Sequence, residues 1–165
     1  MLVRGTKETV MINRILVFVK LAVIVIFFVL AVPNIDPTNW DPFLPYGTQG
    51  ISAGAAIVFF AYIGFDAVAT SAEEAKNPSR DLPIGILGSL GVCAVLYFFV
   101  ALVLTGVVPY TDLNNAEPVA YALRVIGYPI GSAIVAVGAI CGITTVLLVL
   151  LYGQARIFFA LSRDG

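Results

Sequence analysis

Asp66, Lys20 and Gly64 are the residues whose types and settings could do chemistry. Asp66 lies in Ile57–Val68, a run apolar enough to sit in a bilayer. A charge at that depth costs roughly 2.5–3.5 kcal/mol on insertion scales and is usually functional. Burial without a partner would raise its pKa and suit it to taking and releasing a proton near neutral pH. The competing reading is a structural carboxylate bonded to a neighbouring helix. Lys20 sits in Val17–Val23, apolar on every face. Two readings stand for it. Either it snorkels to the nearer interface, roughly 9 Å along a helix from Arg14, or its ammonium needs acceptors from another helix. Gly64 either serves packing or lets the helix open. An opened Phe60-Ala61-Tyr62-Ile63 would present carbonyls to an ammonium or a cation, with Phe60 or Phe65 closing over the bound group. Unwound backbone at membrane depth is tolerated only where it lines a cavity. Thr144 and Thr145 either back-bond to carbonyls a turn earlier or face a site. No catalytic constellation accompanies these groups. There is no His, and Cys93 and Cys141 lie in apolar runs without metal-ligand spacing. Neither an enzyme, a metal site nor a cofactor is expected.

The elements that must position these residues are membrane helices. Hydrophobic residues make up 60% of the 165, and the mean hydropathy is +1.00. The fold class is all-α integral membrane, with four transmembrane helices expected over approximately 14–32, 51–76, 82–108 and 129–161. Met1–Arg14 is polar and basic and does not read as a signal peptide. Turn residues dominate 34–50, where Trp40 and Tyr46 suit an aromatic belt at headgroup level. Asp81 is expected to cap the third span, with Pro83 in its first turn. A loop helix is expected over 117–126, where Val119, Leu123 and Ile126 repeat at helical spacing. Gly138 and Gly142 form a GxxxG pair, which lets helices approach closely in lipid. If four spans alternate, Arg4, Lys7, Arg14, Lys76, Arg80, Arg156 and Arg163 share one side, against Arg124 alone on the other. The positive-inside rule then places both termini in the cytoplasm. Residues 73–81 read as a solvated cytoplasmic turn or as a salt-bridge cluster at an inner gate. There is no basic stripe, and no nucleic-acid partner is expected.

Three sets of residues carry a resemblance. They are Phe59–Val68 (FFAYIGFDAV), Glu73–Pro78 with Arg80–Gly85 (EEAKNP, RDLPIG), and Thr144–Leu148 with Gln154–Arg156 and Ala160–Gly165. Through them the chain resembles the amino acid–polyamine–organocation permeases, and among these the cationic-amino-acid-transporter branch. The resemblance implies a fragment holding the family's fifth to eighth helices, part of an inverted-repeat (5+5) core of the leucine-transporter type. It implies proton-coupled amino acid transport by alternating access in the plasma membrane. The substrate α-amino group would meet the carbonyls of Phe60, Ala61 and Ile63 at a helix broken by Gly64, with Phe60 as an aromatic gate. Asp66 and Lys20 would couple protons. The Lys20 ammonium would stand where sodium-coupled relatives hold the ion, and Thr144 and Thr145 would flank that place. The partners implied are an amino acid, protons, the lipid bilayer and the missing permease helices, among them the glycine-rich first helix that binds the substrate carboxylate. The rival from another class is a non-transporting membrane scaffold or accessory subunit.

Overall fold

The computed structural model describes residues 6–64 and 77–163. Among these, all regular structure is helical: α1 (Thr6–Ala31), α2 (Gly47–Val58), α3 (Pro78–Val107), α4 (Pro118–Val125) and α5 (Pro129–Arg163), with short 3-10 turns between them. Met11–Asn34, Pro78–Val107 and Pro129–Ala155 are long and apolar enough to cross a membrane. The chain is an all-α membrane protein. The stretch expected to form the second span loses its α-helix after Val58, and residues 65–76 lie outside the described residues.

The start of α3 corrects one expectation. The helix opens at Pro78, a turn before Asp81. Proline suits a first helical position because it has no N–H to leave unpaired. The Asn77 carbonyl accepts the N–H groups of Arg80 and Asp81 at 3.1 and 2.8 Å. Asp81 therefore caps from inside the first turn, its Oδ2 accepting the Asn77 N–H at 3.2 Å.

The chain forms two compact units. The first comprises Met1–Asp41 and Val100–Leu147. Its core draws Phe27 and Ala31 from α1, Val103 and Val107 from the end of α3, Val108 just beyond it, Ala120, Ala122 and Leu123 from α4, and Val135 from α5. Glycines bring α1 and α5 together. A Cβ at Gly138 would fall 2.6 Å from Val23, and one at Gly131 would fall 2.6 Å from Leu30. Apolar area drives little association inside lipid, so close backbone approach at small residues takes over.

Helix α4 owes its short, sharp form to its ends. Pro118 occupies the first turn. Gly127 follows the last turn at φ +88°. The Tyr128 N–H bonds the Leu123 carbonyl at 2.8 Å and the Gly127 N–H bonds that of Arg124 at 3.1 Å. This is a Schellman closure, which needs a left-handed residue and so favours glycine. Pro129 then starts α5 at once.

The second unit comprises Pro42–Phe99 and Leu148–Gly165. It holds α2 and most of α3. Helix α2 buries no residue; its apolar faces suit lipid or other helices of a larger assembly.

Candidate functional site

The end of α2 is the most distinctive local feature of the second unit. Phe59–Tyr62 tightens into a 3-10 turn. Ile63 leaves the helical region at ψ 132°, and Gly64 takes φ +118°. Side-chain-bearing residues resist that conformation, whereas glycine adopts it freely. A Cβ at Gly64 would meet nothing within 4 Å, so the backbone conformation, not crowding, selects glycine.

Among the described residues, two of the three carbonyls expected to receive a ligand have one donor each. The Phe60 carbonyl accepts the Ile63 N–H at 3.3 Å. The Ala61 carbonyl accepts the Tyr97 hydroxyl of α3 at 3.0 Å. A carbonyl oxygen has two lone pairs, so one donor does not saturate either. Tyr97 also stacks edge-on against Tyr62, with centroids 5.3 Å apart. It braces the turn from outside the motif. Sequence reasoning missed Tyr97, because a tyrosine in an apolar run gives no sign of which carbonyl it will reach. The Phe60 side chain is 72% exposed and so unclaimed by packing. Asp66 lies outside the described residues, as do Phe65 and the Glu73, Glu74 and Lys76 of the charged turn.

Lys20, Thr144 and Thr145 belong to the first unit. Lys20 is half-buried on α1. Its Cδ would stand 3.4 Å from a Cβ at Gly142, so the absent side chain there makes room for the lysine stem. The stem borders a cavity of about 490 Å³ whose walls include Val23, Phe27, Val135, Gly138 and Gly142. Among the described residues, none accepts a hydrogen bond from the Lys20 ammonium. Both threonines back-bond within α5: Thr144 donates to the Ile140 carbonyl at 2.8 Å, and Thr145 to that of Gly142 at 2.6 Å. Thr145 is buried on the face that carries Gly138 and Gly142, whereas Thr144 is exposed. Each hydroxyl oxygen keeps a lone pair beyond its donated hydrogen.

Trp40 ties the stretch after α1 to the end of α3. Its indole N–H donates to the Thr105 hydroxyl at 3.2 Å, and its ring covers Gly106, where a Cβ would fall 2.8 Å from Cζ2. Tyr46 is exposed. The stretch before Trp40 is ordered by Asp36. Its Oδ1 accepts the Thr38 hydroxyl at 2.7 Å and the Thr38 N–H at 3.0 Å. These two bonds, the hydroxyl's first, hold the carboxyl below its ordinary value of 3.8.

Comparison with known proteins places this geometry. The sequence matches the amino acid permease family over residues 1–165. It is 50% identical over 162 residues to a methylthioribose transporter of Bacillus subtilis (strain 168), covering 98% of this chain and 35% of that protein. A branched-chain amino acid permease of the same organism is 47% identical over 162 residues, covering 98% of this chain and again 35% of the relative. The chloroplastic cationic amino acid transporter 9 of Arabidopsis thaliana is 46% identical over 164 residues, which is 99% of this chain and 29% of the relative. The chain thus spans about a third of the length of these relatives. A match that runs from the first residue to the last, through both the end of α2 and the glycine-packed seam of α1 and α5, shows that the chain belongs to the amino acid permease family.

Proposed function

We propose that this segment is the substrate- and proton-handling middle of an amino acid carrier that works by alternating access. The observation that carries the reading is the loss of α-helix over Phe59–Gly64, with positive φ at Gly64. Broken helices of this kind are where secondary transporters hold substrate and coupling ion. A substrate α-ammonium docks on the carbonyls of Phe60, Ala61 and Ile63, and the exposed Phe60 ring closes over it. Asp66 takes and releases the coupling proton. The Lys20 ammonium, without an acceptor among the described residues, fills the position of an alkali ion beside Thr144 and Thr145. The segment is the last helix of one five-helix repeat and the first three of the next. The carrier sits in the plasma membrane with both ends of this segment cytoplasmic, as the Lys and Arg distribution favours.

A second substrate reading has its own support in the similarity to the methylthioribose transporter: a neutral thio-sugar that places hydroxyls, not an ammonium, on the same carbonyls. Proteoliposomes of a full-length carrier containing residues 1–165 test both readings with radiolabelled L-leucine, L-arginine and methylthioribose. The first reading expects an amino acid to accumulate under an inward proton gradient and Phe60→Ala to cut uptake about tenfold or more. Asp66→Asn should abolish the gradient-driven part, and Lys20→Met should uncouple or slow it. Uptake of methylthioribose alone selects the second reading. No uptake of any probe favours the scaffold.

A further inference from the structure

The last turn of α3 ends in carbonyls without intrahelical donors, as every helix does. One of them is satisfied from far along the chain. The Gly106 carbonyl accepts the Asp36 N–H at 2.9 Å and the Asn39 Nδ2–H at 2.9 Å. These two donors use both of its lone pairs. One residue earlier, the Thr105 hydroxyl accepts the Trp40 indole N–H at 3.2 Å and donates to the Ala101 carbonyl at 2.8 Å. The indole and Ile35 fill the space where Gly106 has no side chain, with a built Cβ meeting them at 2.8 and 3.0 Å. On the inner side of the same joint lie Ala31, Val107, Val108 and Leu123, all buried. A connecting loop is normally the mobile part of a structure. This one is bonded, shaped to a glycine, capped by Asp36 and backed by core.

We infer that Asn39, Trp40 and Gly106 form a clasp that stays closed through the transport cycle. The clasp makes the ends of α1 and α3, together with α4, travel as one body. The inference rests on the carrier reading and adds to it where the carrier does not bend. Packed and bonded interfaces move as units, and hinges fall in the few residues that absorb backbone change. Asn39, Trp40 and Gly106 are positioning residues. They touch no substrate, and they act by keeping one face of the moving body intact.

The test uses the full-length carrier with Cys93 and Cys141 replaced by alanine and spin labels at Val32→Cys and Val125→Cys, both exposed positions. The distance between the labels is measured by pulsed electron resonance, with and without L-leucine, L-arginine and methylthioribose. A closed clasp gives one narrow distance, unchanged by any probe. Combined Trp40→Phe and Asn39→Ala should broaden it. Gly106→Val should do the same by wedging the indole and Ile35. In uptake, the broken clasp should lower Vmax about fivefold or more and leave KM within about twofold, since binding is untouched. A distance that shifts on adding a transported probe while the clasp is intact overturns the proposal. So does a distribution that neither the paired substitution nor the wedge alters. A narrow distance that broadens in the variants, from a carrier that takes up none of the probes, supports the clasp while sinking the carrier reading.

Discussion

Gly64 matters for its backbone, not for the room it leaves. At φ +118° with open space around its Cα, Gly64→Ala should cost roughly 1–3 kcal/mol in the broken state and favour a continuous helix. In the carrier, substrate affinity should fall while the protein still reaches the membrane. Equilibrium binding of a transported substrate to purified protein checks this, and unaltered affinity would detach the break from binding. Asp36 gives a second residue-scale prediction. Its carboxyl is held low by the Thr38 hydroxyl first and the Thr38 N–H second. A depressed folded-state pKa means that the stabilisation is present above 3.8 and is lost as pH falls through the lower folded value. The turn that carries Trp40 should therefore hold unchanged across neutral and mildly acid pH. Carboxyl-carbon NMR should find the Asp36 midpoint below 3.8, and Thr38→Val should move it upward.

Helices α1 and α5 meet where side chains are missing. Val23 places both of its methyl carbons within 3 Å of where a Cβ at Gly138 would stand. Valine on a helix has one strongly preferred rotamer, so it cannot swing aside. Gly138→Leu should therefore force the helices apart. Overpacking of this kind costs typically 1–3 kcal/mol, which a thermal-shift assay on the purified carrier would register as a lower midpoint. Gly142→Ala should be far milder, since its Cβ would only touch the Lys20 stem at ordinary contact distance. Equal losses at the two positions would mean that the glycine seam is not what sets the spacing. The GxxxG pair was legible in the sequence. Its asymmetry was not, because that depends on which α1 residue stands opposite each glycine. The start of α3 moved for a related reason: Asp81 and Pro83 read as its cap and first turn, and only the hydrogen bonds at Asn77 set the start at Pro78.

At the scale of the whole molecule, the exposed apolar side chains along α1, α3 and α5 have one physical use, which is to face lipid or further helices. Orientation in the bilayer is open to direct measurement. In a full-length carrier, a single cysteine replacing Thr111 should react with an impermeant maleimide added outside intact cells. One replacing Ser79 should react only after the membrane is opened. The reverse pattern would invert the topology drawn from the Lys and Arg distribution. The sequence by itself determined the all-α membrane class and the family, because apolar run and motif are properties of the chain read in order. It also marked Phe60–Gly64 as a place to look, since glycine inside an apolar helix is a local signal. Only the tertiary structure decided that Tyr97 braces Ala61, and that Val23 meets Gly138 and Trp40 packs onto Gly106. Each of those pairs residues far apart in the chain, and which partner a hydrogen bond or a missing Cβ finds is settled by packing.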